Sequence, residues 1–299
     1  MVTLCEVGPR DGLQNLPRTF TVEEKITLIT RLAAAGLSSI EAVSMVNPAR
    51  VPQMAGAEEV LAGLPELPGV HLSALVLNLR GAERALATRI DGLRFAVVAS
   101  DTFCRRNQGM SSEESVAEFA RAAKAARSSE RDIVAVIATA YGCPFEGEIA
   151  PARVARMVEA MIAAGASQVV LADTIGVAVP ANIRCLHDHV APVLGGRPWG
   201  VHLHNTRNTG YANLSTALEL GTSVVDASIG GLGGCPFAPR ATGNVATEDV
   251  NYLMQRSGVA TGLDHDRLSD LVDWLDGLVP ERITGQLGRA GWFGAEAAA

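Results

Sequence analysis

The sequence predicts a closed (β/α)8 barrel, a TIM barrel, with additional helices at its C-terminal end. Short apolar runs rich in β-branched residues alternate eight times with longer amphipathic segments rich in Ala and Glu, the pattern of parallel βαβ units. The length, 299 residues, is long for an ordinary domain and suits a barrel, which takes about 250. The rival is a doubly wound open sheet, which usually has fewer strands and opens on a Gly-rich dinucleotide turn. The first turn here, Glu6-Val-Gly-Pro-Arg-Asp-Gly-Leu-Gln, lacks that spacing.

Taken in order, the strands are expected at 2–7, 39–43, 70–76, 93–98, 132–138, 168–172, 199–204 and 223–229. Helices are expected near 22–35, 55–63, 80–88, 112–127, 150–164, 180–194, 207–220 and 246–257. Thr21 ahead of Val-Glu-Glu, and Ser111-Ser-Glu-Glu, read as N-terminal caps. Gly36, Gly165 and Gly221 each follow a helical pattern, where a left-handed cap is expected. The barrel should run to about 258, followed by a helical segment over about 259–299 with a helix at 268–278 and an Ala-rich tail. No Ser- or Pro-rich linker interrupts the chain, so a single domain is expected over 1–299.

Hydrophobic residues make up 48% and charged residues 19%, which fits a large core and argues against disorder. The net charge is −7 with no basic block, so nucleic acid and anionic membranes are not expected partners. An anionic small molecule needs only a local cluster such as Arg105-Arg106. The N-terminus shows no signal-peptide pattern, and no apolar run reaches the ~18 residues of a membrane span. The five cysteines (5, 104, 143, 185 and 235) form neither a disulfide framework nor a Cys-x-x-Cys zinc pattern, so a cytoplasmic protein with free thiols is expected. Exposed helix faces leave room for a homodimer.

A barrel places its reactive residues at the C-terminal ends of strands. Polar residues gather there: Glu6 with Arg10-Asp11, Glu41 and Ser44, Ser100-Asp101-Thr102, Tyr141 and Cys143, Asp173-Thr174, His202-Leu-His204-Asn205, and a loop from Gly230 to Asn244. Side chains alternate along a strand, so His202 and His204 share one face and suit one divalent metal, given further ligands. His187-Asp-His189 has the same spacing within a helical pattern, where two residues apart means different directions; no shared metal is expected there. Bland readings stand beside these. Asp173 can cap the next helix, Glu6 and Glu41 can pair with arginines, and Cys5 and Cys143 can be small buried hydrophobes. Four glycines before Cys235 make either a plain connector or a lid carrying a thiol acid–base, with Asn244 an oxygen donor to a metal.

Six segments in this order, Glu6-Val-Gly-Pro-Arg-Asp-Gly-Leu-Gln-Asn, Val51-Pro-Gln-Met, Gly142-Cys-Pro-Phe-Glu-Gly, Asp173-Thr-Ile-Gly-Val, His202-x-His and Gly231-Leu-Gly-Gly-Cys-Pro-Phe-Ala, together with the closing Thr242-Gly-Asn-Val-Ala-Thr-Glu-Asp, closely resemble the 3-hydroxy-3-methylglutaryl-CoA lyase family. The resemblance implies a metal-dependent retro-Claisen cleavage of an acyl-CoA substrate to acetyl-CoA and acetoacetate, in leucine degradation or ketone-body formation. It implies a divalent metal ion, Mg²⁺ or Mn²⁺, on Asp11, His202, His204 and Asn244, with Glu41 in support; Zn²⁺ stays open on ligand type alone. Arg10 would stabilise the enolate oxygen, oriented by Glu6, and Cys235 would donate a proton to the enolate carbon. Asp173 would belong to the same site, and Gln14 and Asn107 would contact substrate. Asp11 and His202 are the candidates to take the hydroxyl proton.

The chain departs from the family at Asn205-Thr-Arg207-Asn208-Thr209-Gly210, where the family usually reads Asp-Thr-Tyr-Gly-Gln-Ala, and at Gln108-Gly-Met110. Arg207 makes that rim more positive and is expected to contact the acyl tail or its carboxylate, which leaves the acyl group open. The rivals are a Claisen-type synthase on the same barrel (citramalate, isopropylmalate or homocitrate synthase), an aldolase acting on 4-hydroxy-2-oxo acids, and a non-catalytic CoA- or metal-binding relative.

Overall fold

The computed structural model describes residues 2–234, 242–279 and 283–293. Eight parallel strands close into a barrel: β1 (Thr3–Glu6), β2 (Ser39–Ser44), β3 (His71–Val76), β4 (Gly92–Val98), β5 (Asp132–Ala138), β6 (Gln168–Asp173), β7 (Trp199–Leu203) and β8 (Val224–Ala227). Each pairs with its neighbours in chain order, and the barrel closes where β8 runs beside β1, from Thr3 opposite Val224 to Glu6 opposite Ala227. Every strand lies within two residues of the position read from the sequence.

The helices α1 (Val22–Ala34), α2 (Ala57–Gly63), α3 (Leu79–Leu86), α4 (Asp101–Gln108), α5 (Ser112–Ser128), α6 (Pro151–Ala164), α7 (Pro180–Leu194), α8 (Gly210–Glu219) and α9 (Thr247–Arg256) surround it. α1 and α5 begin with reciprocal caps, Thr21 with Glu24 and Ser111 with Glu114, as their sequences suggest. Gly36, Gly165 and Gly221 have φ of +99°, +109° and +79°, the left-handed backbone that a side chain would strain. α7 carries His187 and His189 to separate surroundings: the first stacks on Trp199, and Nδ1 of the second meets the Cys185 carbonyl. That pair therefore shares nothing.

α4 is a helix where the sequence reading leaves a loop. The Ser100 hydroxyl caps its start by accepting from Phe103 N–H at 3.1 Å, and Gly109 stops it with φ of +76°. Phe103 and Cys104 are its buried residues, too few to print a periodic apolar stripe. A small hairpin pairs Gly142–Cys143 with Gly147–Glu148. After α9 come α10 (His265–Asp276), whose Leu268, Leu271 and Leu275 are fully buried, and the short α11 (Leu287–Ala290). The Ala-rich tail beyond 293 lies outside the described residues. No helix among the described residues is long and apolar enough to cross a membrane.

The main core lies between barrel and helices. Inside the barrel the filling is split. Val134, Val136, Val170 and Ala172 form a small apolar cluster on one side. On the other, Glu41, Arg94 and Asp226 are at most 4% exposed and carry charge.

Candidate active site

The loop after β1 makes the first half of the site. The N–H groups of Arg10, Asp11 and Gly12 converge on the Val7 carbonyl at 3.1, 2.7 and 3.2 Å, a wide turn that brings both Arg10 and Asp11 to the barrel mouth. Gly8 is required here, because a Cβ would lie 2.5 Å from Glu6 Oε1. The second half comes from β7, where alternation sends His202 and His204 inward. Their Nε2 atoms are 3.2 Å apart and lie 3.8 and 3.7 Å from Asp11 Oδ2. The point equidistant from these three atoms is about 2.1 Å from each, the ligand distance of a small divalent cation.

Asn244 completes the set. An isolated backbone bridge sets it against His204, and Asn205 N–H donates to the Gly243 carbonyl at 2.9 Å. Its Nδ2 donates to Asp11 Oδ2 (2.8 Å) and to the Leu232 carbonyl (2.9 Å), while its buried Oδ1 has no partner among the described residues. An orphaned amide oxygen beside two facing imidazole nitrogens and a carboxylate is a donor set of the kind that could hold a divalent cation. Behind His202, Asp226 Oδ2 accepts from Nδ1 at 3.2 Å, which fixes the tautomer and leaves the Nε2 lone pair free. Burial acts to raise the Asp11 pKa, but Arg10, His204 and His202 outweigh it and hold the carboxyl well below its usual range. Asp11 is therefore held as a carboxylate and makes a poor base.

Arg10 is clamped on both sides. Its Nε and Nη2 reach Glu41 Oε2 at 2.7 and 2.6 Å, and its Nη1 reaches Asp11 Oδ1 at 2.6 Å. Burial works against the guanidinium charge, yet Glu41 and Asp11 together raise its pKa further. Arg10, Asp11, His202 and His204 line the inner end of a cavity of about 540 Å³. Gln14 and Asn107 also line it, joined by Asn47, Arg50, Asn78 and Arg106. A second pocket of about 390 Å³ shares Met45, Asn47 and Asn78 with it and adds Arg80 and Arg84.

Four expectations need correction. Glu6 does not orient Arg10: its oxygens accept from Gly8 N–H (2.7 Å), Ile229 N–H (3.0 Å) and the Thr247 hydroxyl (2.6 Å), and so tie β1 to the segment after β8. Glu41, fully buried, holds Arg10 in its place and stands behind the cavity wall instead of beside the three converging ligands. Asp173 lies between the cavity-lining residues Ala172 and Thr174 but is not among them. It accepts from Val177 and Ala178 N–H at 2.9 and 3.0 Å, the capping role. Burial raises its pKa, partly offset by those two N–H groups. Arg207 does not reach the cavity; its Nη1 donates to the Ile175 and Gly176 carbonyls at 3.0 and 2.8 Å, bracing the same loop. Cys235 lies outside the described residues. Arg94 and Asp226 were not anticipated, although each is a charged residue in an otherwise apolar strand.

A family model described as HMGL-like matches residues 1–275. The chain belongs to the HMGL-like family. It is 40% identical over 300 residues to the (R)-citramalyl-CoA lyase of Chloroflexus aurantiacus, covering 97% of this chain and 95% of that protein. The crystal structure of hydroxymethylglutaryl-CoA lyase from Pseudomonas aeruginosa superposes with a TM-score of 0.93 at 39% identity, covering 97% of this chain and 96% of that one. An HMG-CoA lyase from Acinetobacter baumannii, solved in complex with coenzyme A and 3-methylmalate, superposes with a TM-score of 0.94 at 35% identity, covering 100% and 98%. HMGL-like membership fits the closed eight-stranded barrel with the cluster at its mouth.

Proposed function

We propose that the chain is a divalent-metal-dependent carbon–carbon lyase that cleaves a 3-hydroxy-3-methylglutaryl-CoA-type thioester by a retro-Claisen reaction, releasing acetyl-CoA and a keto acid. The observation that carries this reading is the convergence of Asp11, His202, His204 and the unpaired Asn244 Oδ1 beside a clamped Arg10 in one cavity. It is supported by relatives whose names specify lyases acting on two thioesters that share this chemistry.

In the reaction the C3 hydroxyl loses its proton, the C2–C3 electron pair moves onto the thioester, and a proton is added at C2 to give acetyl-CoA. Asp11, His202, His204 and Asn244 would hold a divalent ion such as Mg²⁺ or Mn²⁺, which when bound would supply a hard Lewis acid to acidify the hydroxyl. Arg10 places a fixed positive charge where the enolate oxygen develops, and Glu41 keeps the guanidinium from swinging away. Cys235 delivers the proton to C2, the role the family resemblance gives it. Arg50, Arg80 and Arg106 give the outer pockets positive charge suited to the phosphates of coenzyme A.

The test is acetyl-CoA release from 3-hydroxy-3-methylglutaryl-CoA and from (R)-citramalyl-CoA, each with Mg²⁺ or Mn²⁺ and with EDTA. Acetoacetate from the first compound supports a place in leucine degradation; pyruvate from the second points elsewhere. No cleavage of either, or condensation of acetyl-CoA with a 2-oxo acid, overturns the reading.

A further inference from the structure

Arg94 is a charge inside the barrel for which the proposed chemistry has no direct use. It lies on β4 two residues before Ala96, which lines the cavity, so it points into the barrel one layer beneath the cavity floor. Its Nη2 pairs with Asp226 Oδ2, its Nε lies 3.5 Å from Glu41 Oε1, and its Nη1 lies 3.5 Å from Cys5 Sγ. Both carboxylates are engaged from the other side by residues of the site. Asp226 Oδ2 accepts from His202 Nδ1, and Glu41 Oε2 takes the Arg10 fork. Arg10 in turn holds Asp11, which faces His202 Nε2. Arg10, Glu41, Arg94, Asp226, His202 and Asp11 thus close a ring that runs from the cavity, through the barrel interior, and back.

Two features distinguish this ring from packing alone. A buried ion pair adds little net stability over apolar side chains of equal volume, so filling the barrel does not by itself account for a guanidinium there. The ring is also selective between the histidines. His202 Nδ1 is held by a carboxylate that Arg94 anchors, whereas His204 Nδ1 has no partner among the described residues. Two guanidinium groups are thus shared among three acids, Asp11, Glu41 and Asp226.

We propose that Arg94 is a positioning residue for the metal centre. It holds Asp226, which presents the His202 ring with Nε2 toward Asp11 and His204, and it steadies Glu41, which aims Arg10. The proposal rests on the metal-dependent reading above. Its readouts are metal binding and imidazole geometry, so that it can fail separately from that reading.

The experiment uses the full chain carrying Arg94→Met, Arg94→Lys, Asp226→Asn and the Arg94→Met/Asp226→Asn pair. Each is measured for thermal midpoint, for Mn²⁺ affinity without substrate, and for the His202 tautomer by ¹⁵N NMR of the metal-free protein. Arg94→Met should bind Mn²⁺ about 10–100-fold more weakly, the usual cost of losing a residue that orients a ligand. It should also lower kcat while KM stays within about threefold, and mix the His202 tautomers. Asp226→Asn should lose as much, and the pair no more than the larger single loss, since both act through one imidazole. Arg94→Lys covers the case in which the Met variant does not fold. One ammonium cannot serve Asp226 and Glu41 together, so a loss of about tenfold is expected. A lowered thermal midpoint with Mn²⁺ affinity and tautomer as in the unmodified chain, in whichever Arg94 variant folds, overturns the proposal. If the unmodified chain binds no Mn²⁺, the metal reading fails, and the tautomer measurement still decides what Arg94 does.

Discussion

Arg10→Lys separates a charge from a charge held in place. The ammonium keeps the positive sign but has one nitrogen where the guanidinium uses three, Nε and Nη2 on Glu41 and Nη1 on Asp11. At least one charge-assisted hydrogen bond in a nearly closed site is lost, about 1.5–3 kcal/mol. In a chain of this size that corresponds to a fall in thermal midpoint of roughly 2–5 °C. Catalysis should suffer more than folding, because an enolate oxygen is stabilised only by a charge already at the right point. Removing such a stabiliser costs ~10²–10³ in turnover, about 2.7–4 kcal/mol at the transition state. The assay is acetyl-CoA formation under saturating Mg²⁺, with KM and Mn²⁺ affinity measured on the same preparation. The expected result is kcat down by about 10²-fold or more, with Mn²⁺ affinity nearly unchanged because Asp11 still faces a cation. A variant that turns over within about threefold of the unmodified chain refutes the claim that Arg10 must be fixed by Glu41 and Asp11.

Asn244→Ala removes the orphaned Oδ1 and leaves Asp11, His202 and His204 in place, so Mn²⁺ affinity measured by titration should fall about tenfold or more with the barrel intact. Glu248 accepts from Gly230 N–H at 2.9 Å, and burial pushes its carboxyl up from 4.5 to about 8. Between those values the folded chain keeps a proton that the unfolded chain has lost, so stability falls as pH rises through the window. Glu248→Gln, which imitates the protonated form, should match the unmodified chain near pH 4, below the window, and melt about 5 °C higher near pH 8.5 in scanning fluorimetry; Glu6, raised by burial to about 7, drifts in the same direction in both proteins, so the difference between the two is the readout. Arg207 braces the Ile175 and Gly176 carbonyls, so Arg207→Met should lower kcat and thermal midpoint modestly while the kcat/KM ratio between the two thioesters stays within about threefold; a reversed preference would show that the side chain reaches substrate.

The parts of the fold that were legible in the sequence are those written in local periodicity. Short, nearly continuous apolar runs rich in β-branched residues gave all eight strands, because each strand buries both faces in a closed barrel. His202 and His204 were legible because side chains alternate along a strand, and the His187/His189 pair was rejected because residues two apart on a helix point in different directions. α4 was not legible, since an eight-residue helix held by a Ser cap and a Gly stop needs almost no apolar stripe. Glu6 and Arg207 were read toward the wrong partners because backbone N–H and carbonyl groups claim them, and a sequence pattern shows charges without showing which turns leave backbone groups unpaired.

Arg94 and Asp226 were missed for a deeper reason. In Gly92-Leu-Arg-Phe-Ala and Val224-Val-Asp-Ala each charge reads locally as the one polar position of a strand, which ordinarily means a face toward water. In a barrel the alternative face is an interior sealed from water, and a charge there survives only if another strand brings its counter-charge to the same depth. That depth is set by register. Asp226 lies directly opposite His202 in the ladder between β8 and β7, and a slip of one residue would turn every side chain of β8 to the other face, taking the carboxylate away from the imidazole. The strand ladder, a non-local property, therefore decides which half of the chemistry a sequence pattern can show. The ligands at the mouth follow from alternation along one strand, and the ring beneath them follows from how the strands are set against one another.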